Sequence, residues 1–155
     1  MRVALLAALV TKAGPAFADV TAFVGANTTP ANRQVLGFAA GLGLLIVGFE
    51  FEYSNTTDDV TIGVPSLKIG SGNGLLQTPV AIFGVQPYVT AGGGLYSETL
   101  GTHNNIGFAL NTGGGVKISL VGPLRLRVDY RVFRLGRDAL YSPAHRVYAG
   151  LNLKF

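Results

Sequence analysis

The chain has 155 residues, a formal net charge of +4 at neutral pH and no cysteine. This length fits one domain, and the lack of cysteine excludes a disulfide framework. The charge is too small to indicate nucleic-acid binding. Apolar residues make up 48% of the chain, but they form no run long enough for a transmembrane helix.

The amino-terminal residues predict export. Residues 3–10 form a short apolar core, and Ala16 and Ala18 frame an A-x-A cleavage site. An apolar core of this length is too short to cross a bilayer as a helix, which needs about 20 residues. We therefore expect a signal peptide over 1–18 that is cleaved before Asp19.

The mature chain, 19–155, shows eight segments in which apolar and polar residues alternate. Alternation places successive side chains on opposite faces of a strand. Each segment is close to the roughly 9 to 11 residues of a tilted transmembrane strand. In chain order the predicted strands are 19–27, 33–43, 47–55, 75–84, 88–99, 106–120, 124–134 and 145–155.

The connections between these strands predict a direction. The segment 55–74, rich in glycine and aspartate, is predicted as the longest loop, and strand 75–84 is the least regular because Pro79 cannot donate to a ladder. If the amino-terminus lies inside, 44–46, 85–87 and 121–123 are inner turns, and 28–32, 55–74, 100–105 and 135–144 are outer loops. Short inner turns and longer outer loops are typical of bacterial barrels. The predicted fold is all-β, an eight-stranded antiparallel up-and-down transmembrane β-barrel.

Three segments resemble a known family. Residues 87–89, 127–131 and 148–155 are similar to recurrent segments of the small eight-stranded outer-membrane barrels, related to the transmembrane domain of outer membrane protein A and to opacity-type porin-family proteins. The resemblance covers essentially the whole mature chain. It implies an integral protein of the bacterial outer membrane, in contact with lipid and lipopolysaccharide. The sequence departs from outer membrane protein A in ending with the barrel, so we do not expect a cell-wall tethering role.

The last strand resembles that family's carboxy-terminal assembly signal. The matching residues are Tyr148, Gly150, Leu151, Leu153 and Phe155. The resemblance implies that the barrel assembly machinery recognises this strand during biogenesis. A barrel that closes on itself needs no partner subunit, so we expect a monomer.

The inward faces of the predicted strands carry charges of both signs. Charges in a closed, low-dielectric space need partners, so we expect an Arg-carboxylate network centred on Glu50, Glu52, Asp129 and Arg127. The predicted lumen charges are Glu50, Glu52, Glu98, Lys117, Arg125, Arg127, Asp129, Arg131, Arg146 and Lys154. Because the interior of an eight-stranded barrel is about filled by its own side chains, we expect a plugged lumen.

Two classes of function remain open, together with one alternative fold. The first function is a structural and surface-interaction protein whose outer loops contact ligands, and the second is a narrow channel or a carrier of small or apolar solutes. The alternative fold is a soluble secreted ligand-binding barrel, in which the two strand faces would be inverted. Ser142, His145 and Asp138 fit an ordinary loop better than a catalytic triad. We expect no enzyme activity, metal or cofactor, and no nucleic-acid partner.

Overall fold

The computed structural model describes residues 16–155, so the predicted apolar core of the signal peptide, 3–10, lies outside the described residues. The described chain forms one closed antiparallel barrel in which each strand pairs with the next and β8 pairs with β1. The strands are β1 (Ala16–Asn27), β2 (Arg33–Leu44), β3 (Val47–Thr56), β4 (Ser66–Gln77), β5 (Val85–Leu100), β6 (His103–Val121), β7 (Leu124–Leu135) and β8 (Ala144–Lys154). The predicted fold class is confirmed. Residues 16–155 include no helix of the length and apolarity that a membrane crossing requires.

The two faces of the barrel wall differ as the alternation predicts. On β3, Phe49 and Phe51 are 62% and 54% exposed on the outer surface, whereas Glu50 and Glu52 are buried inside. Arg127 and Asp129 on β7 are also buried inside, and the outer residue between them, Val128, is exposed. An outer face of this kind is suited to lipid. A soluble ligand-binding barrel would need the opposite faces, so that alternative is wrong.

The fourth strand differs from the prediction. Residues 66–74, predicted as part of a long loop, belong to β4, and 78–84, predicted as strand, connects β4 to β5. On β4 the inward side chains include Ile69 and Leu75, and glycines alternate with them on the outer face. Because glycine has no side chain, the outer face of β4 does not appear apolar in the sequence. The alternation of apolar and polar residues is therefore absent, and the segment resembles a loop. Pro79 lies in the connection, where no ladder hydrogen bond is required.

The connections define two ends of the barrel. The turn end carries 45–46, 78–84 and 122–123 together with Phe155, and the loop end carries 28–32, 57–65, 101–102 and 136–143. Two predicted connections are corrected: 85–87 lies in β5, and the predicted loop 100–105 is a tight turn at 101–102, where Gly101 has a φ of 58°. The longest connections, 57–65 and 136–143, still lie together at the loop end.

Two turns at the turn end hold large apolar residues in the left-handed region. Leu45 has a φ of 54°, and Phe83 has a φ of 51° next to Gly84 at 78°. Backbone hydrogen bonds in both directions between Ile82 and Val85 close the second turn, whose two central residues have the positive φ of a type I′ turn. The left-handed region costs an L-residue about 1 to 2 kcal/mol, and Asn or Gly is the usual choice there.

Outward-facing polar residues mark the loop end of the lipid-facing surface. Asn55 is paired in register with Leu36 on one side and Lys68 on the other, and Lys68 is paired with Ser97. We call these outward-facing residues the polar ring: Gln34, Asn55, Lys68, Ser97, Arg134 and His145. The ring indicates where the apolar region of the membrane ends on this side.

Candidate functional site

The candidate site is the lumen, where a charged network joins opposite walls of the barrel. Both Arg127 and Arg131, on β7, contact Glu50 on β3, with Arg131 Nη2 at 3.1 Å from Glu50 Oε1. Strands β3 and β7 are four positions apart in the eight-stranded ring, so these ion pairs cross the lumen. Asp129 adds a carboxylate on β7 itself, 3.1 Å from Arg131 Nε and 3.4 Å from Arg127 Nη2.

The network continues toward the loop end through Glu52. Arg131 Nη1 lies 3.2 Å from Glu52 Oε2, and Arg146 on β8 donates to the other carboxylate oxygen. The Arg146 guanidinium also lies over the rings of Phe133 and Phe23, at 4.7 and 5.3 Å from their centroids. The central network thus contains three arginines and three carboxylates, and its formal charges cancel.

Two tyrosines support the central arginine. Arg127 Nε donates to the Tyr88 hydroxyl at 2.8 Å, and that hydroxyl donates in turn to Asp129. The Arg127 guanidinium lies 4.8 Å from the centroid of the Tyr88 ring and 5.7 Å from that of Tyr148. The Tyr148 ring stacks on Phe23 at 4.0 Å. Aromatic side chains and carboxylates together enclose Arg127, which is fully buried.

A second cluster lies nearer the turn end. Lys117 Nζ and Arg125 Nη2 lie 2.7 and 3.1 Å from the same oxygen of Asp19. Arg125 also donates to Asn152 at 2.8 Å and to Gln86 at 2.9 Å. Asp19 lies at the predicted cleavage point, and its role as the acid of this cluster was not predicted. The alternation of β1 does indicate an inward direction for Asp19, because it lies two and four residues before Thr21 and Phe23, which face inward.

Two predicted network residues stand apart from these clusters. Glu98 is buried near the loop end, where its carboxylate accepts a hydrogen bond from the Leu140 amide at 3.2 Å. Lys154 lies at the turn end with its ammonium 4.0 Å from the centroid of Phe17. Arg33, which was not predicted as a lumen residue, is buried and donates to the carbonyls of Thr29, Thr57 and Pro65.

The loop end of the lumen is filled by apolar side chains, which the prediction of a charged interior did not include. Tyr96 and Phe133 are each 1% exposed and form the largest part of this layer. Its members are Leu67, Ile69, Tyr96, Ala109, Phe133, Leu135 and Ala144, with Ala139 packed against them. Leu67 and Ile69 escaped notice because they lie in β4, within the predicted loop.

Two cavities border the turn-end cluster. The larger, of about 450 Å³, lies at the turn end beside Gln86, Arg125 and Lys154. A cavity of about 10 Å³ lies near the turn end, between Asp19, Glu50, Gln77 and Lys117. A cavity needs roughly 10 to 15 Å³ to hold one water molecule. The smaller cavity therefore has room for at most about one water molecule.

The loop-end connections carry exposed polar residues. In 57–65, Thr61 donates to Asp59 from its hydroxyl at 2.5 Å and from its amide at 3.1 Å, and these hydrogen bonds lower the pKa of the Asp59 carboxyl. In the part of the chain from residue 16 onward, no group of three His, Cys, Asp or Glu residues is placed to hold a metal ion.

The three residues considered as a triad have other partners. The Ser142 hydroxyl accepts a hydrogen bond from the Leu135 amide at 3.1 Å, and His145 Nδ1 lies 2.7 Å from the Tyr130 hydroxyl on the outer face. Asp138 is exposed in 136–143. The hydrogen bonds found in residues 16–155 do not join these three side chains into a relay.

The proposed assembly-signal residues occupy both faces of β8. Tyr148 and Gly150 face the lumen, where a Cβ on Gly150 would lie 2.8 Å from the Phe23 Cβ. Leu151 and Leu153 face outward and are 54% and 43% exposed, and Phe155 is 71% exposed. The carboxy-terminal strand thus presents its apolar residues on the surface that a lipid or protein partner can contact.

Solved structures share the whole barrel. The amino-terminal β-barrel domain of OprF from Pseudomonas aeruginosa has a TM-score of 0.70 and 17% identity, covering 90% of this chain and 97% of its own. Neisserial surface protein A (NspA) has a TM-score of 0.61 and 16% identity, covering 90% and 94%. Ail, the attachment invasion locus protein of Yersinia pestis, has a TM-score of 0.62 and 12% identity, covering 90% and 98%.

Sequence comparison adds nothing to this likeness, because no protein-family model matches the chain and a search of curated proteins finds no match. The likeness is therefore one of structure. It consists of a closed eight-stranded antiparallel barrel, apolar outside and charged inside, that overlaps these barrels over most of their length. This chain has the fold of the small eight-stranded outer-membrane β-barrels, and its apolar outer face is suited to lipid.

Proposed function

We propose that this barrel has a structural and surface-contact role in the outer membrane and that its lumen is closed to solutes. The observation that carries the proposal is the set of ion pairs that cross the lumen from β7 to β3 and from β8 to β3. Arg127 and Arg131 are both fully buried. Moving either aside would leave two arginines for three buried carboxylates, so one negative charge would be uncompensated in a low-dielectric space, which costs several kcal/mol.

The apolar layer at the loop end gives the proposal a second support. Tyr96, Phe133 and their neighbours fill the lumen on the opposite side of the central network from Asp19 and Lys117. A solute would have to pass the apolar layer, the central network and the turn-end cluster in sequence. The interior of an eight-stranded barrel is only about wide enough for its own side chains, so this arrangement favours a closed barrel over a channel.

The surface-contact part of the role belongs to the loop end. The connections 57–65 and 136–143 project there and expose charges of both signs, including Asp58, Asp59 and Arg137. Ail, which shares the fold, has been crystallised with the heparin analogue sucrose octasulfate. The mixed charges of this chain favour polar contacts of both signs rather than binding of a polyanion. The hydrogen bonds of Ser142 and His145 favour a non-catalytic role.

Biogenesis follows from the same proposal. We expect export through the signal peptide 1–18 and recognition of β8 by the barrel assembly machinery, after which the closed ring functions as a monomer in contact with lipid and lipopolysaccharide. The structure also pairs residues 16–18 with 42–44 of β2. Cleavage before Asp19 would remove these three pairs, and Asp19 would remain paired with Gly41 and Lys154.

Conductance across a planar bilayer tests the closed lumen. The purified protein is first shown to be folded by a change of gel mobility on boiling, and its conductance is then measured beside a variant with Glu52→Ser and Arg146→Ser. These two substitutions remove one acid and one base, while Arg131 keeps Glu50 and Asp129 as partners. We expect no steady conductance from the native protein and a measurable increase from the variant. Steady openings of the native protein would contradict the closed lumen and favour a narrow channel.

A further inference from the structure

The turn end has an exposed apolar rim that neither the lumen nor the loop end explains. Phe83 is 102% exposed, and Val80 and Ile82 in the same connection are 67% and 55% exposed. We call the exposed apolar residues of this end the apolar rim: Leu45, Ile46, Val80, Ile82, Phe83, Leu120, Val121 and Phe155. In water such a patch would be costly and prone to association.

Hydrogen bonds join the segments of the apolar rim to one another. The Gln77 amide donates to the Ile46 carbonyl at 2.9 Å, and the Ser119 amide donates to the Gly84 carbonyl at 2.7 Å. Connection 78–84 therefore lies between turn 45–46 and the end of β6. The rim is one continuous surface and not a set of separate exposed side chains.

The backbone at the rim is strained where apolar side chains are exposed. Phe83 and Leu45 are the non-glycine residues of positive φ in the described chain, and both lie at the turn end. Asn or Gly suits such positions without strain. Because Phe83 is fully exposed, packing against the protein does not offset its backbone strain. We therefore look for a contact outside the chain that stabilises this conformation.

The dimensions of the outer surface point to lipid as that contact. From Leu36, next to the polar ring, to Ile46 the chain advances ten residues (46 minus 36). At about 3.4 Å per residue and a tilt near 40°, this distance corresponds to roughly 26 Å of membrane height, close to the apolar band of about 25 Å on such barrels. A band that begins below the polar ring therefore reaches the apolar rim.

The rim is also continuous with the lipid-facing surface. Leu76 and Val89, paired in register beside connection 78–84, are 58% and 59% exposed on the outer face. We propose that the apolar rim lies in the head-group region of the lipid leaflet at the turn end, with Phe83 inserted as an anchor. This inference rests on the membrane insertion of the barrel and goes beyond the proposed function in assigning a lipid-binding role to connection 78–84.

Single tryptophans test the inference directly because the chain has no tryptophan of its own. Phe83→Trp is compared with Phe51→Trp on the lipid-facing surface and with Val60→Trp in loop 57–65. Each variant is reconstituted into vesicles of phosphatidylcholine and phosphatidylglycerol, with and without brominated acyl chains, and its folding is checked by gel mobility. Emission wavelength, quenching by brominated lipid and quenching by acrylamide in the water are recorded.

We expect Trp emission from Phe83→Trp to be blue-shifted relative to Val60→Trp, quenched by brominated lipid and protected from acrylamide. Emission and quenching equal to those of Val60→Trp would overturn the inference, and so would a blue shift without quenching by brominated lipid, which indicates a protein partner. If brominated lipid did not quench Phe51→Trp, this result would instead contradict membrane insertion of the barrel itself. If Phe83→Trp does not fold, Ile82→Trp in the same turn provides the same readout.

Discussion

Arg127 is the residue on which the central network most depends, because it binds two carboxylates and a tyrosine hydroxyl while fully buried. Replacing it with methionine keeps much of the volume but leaves Glu50 with Arg131 as its remaining cation. Breaking a buried ion pair from one side costs about 3 to 5 kcal/mol. We expect Arg127→Met to lower the free energy of unfolding by about 3 kcal/mol, at the low end of that range, measured by urea titration in lipid vesicles.

Arg134→Met is the matched control for this prediction. Arg134 lies on the same strand but is exposed on the outer face, and a surface substitution of this kind changes stability by about 0.5 kcal/mol or less. Adding Glu50→Gln to Arg127→Met should recover part of the loss, because the network then again has equal numbers of positive and negative charges. Equal urea midpoints for Arg127→Met and Arg134→Met would contradict a stabilising role of the network.

Single residues also show why the sequence identified most of the lumen but not all of it. Arg127, Asp129 and Arg131 alternate with apolar residues, so their inward direction can be inferred from β7 alone. Their partners across the lumen cannot, because ion pairs between β3 and β7 depend on barrel closure and stagger, which no local pattern encodes. The inward direction of Asp19 follows from the alternation of β1. Its pairing with Lys117 was not predicted, because Asp19 was considered only as the residue after the cleavage site.

At the scale of the strand, glycines on β2 and β4 have opposite surroundings. A Cβ added to Gly37, which faces the lumen, would lie 2.3 Å from Phe23 Cζ and 2.4 Å from the Tyr53 carbonyl oxygen. A Cβ added to Gly72, on the outer face of β4, would meet no atom within 4 Å. The first glycine is required by close approach of an aromatic ring and a neighbouring backbone, whereas the second is not required by packing.

Paired alanine substitutions test this difference. We expect Gly37→Ala to destabilise the barrel by about 1 to 3 kcal/mol through overpacking. Gly72→Ala should leave stability unchanged or raise it by up to about 1 kcal/mol, because alanine restricts the unfolded chain. Urea unfolding in vesicles measures both variants, and a loss in Gly72→Ala as large as that in Gly37→Ala would contradict the placement of β4.

The same strand explains where prediction from sequence failed. β4 places Gly70, Gly72 and Gly74 outside, and its larger side chains, such as Ile69, face the lumen. The usual signal of a lipid-facing strand is therefore lost on one face, and apolar residues occupy the face expected to be polar. Pairing of 66–77 with both β3 and β5 fixes the strand, which shows that neighbouring strands, rather than local alternation, determine β4.

For the whole molecule, the closed ring couples the lumen to the membrane surface. Each strand contributes one face to the lipid-facing surface and the other to the lumen. The same backbone hydrogen bonds therefore hold both the apolar outer face and the charged clusters in place. Closure also removes free sheet edges, which is the only arrangement of strands that suits a lipid environment. The polar ring and the apolar rim then distinguish the two ends of an otherwise regular cylinder.

The orientation of that cylinder in the membrane is the remaining property to test. Connections 45–46 and 122–123 are tight, whereas 57–65 and 136–143 are long, and bacterial barrels place short turns toward the periplasm. Because the chain has no cysteine, single cysteines report each end without interference. Val60 and Val80 are a matched pair, 68% and 67% exposed at the loop end and the turn end.

We expect Val60→Cys to react with a membrane-impermeant maleimide on intact cells, because loop 57–65 should lie outside the cell. Val80→Cys should react only after the cells are broken and the membranes dissolved in detergent, since connection 78–84 should lie on the periplasmic side. A change of gel mobility on boiling confirms that each variant is folded. The reverse order of labelling would mean that the loop end faces the periplasm, and the surface-contact role proposed for 57–65 and 136–143 would then be wrong.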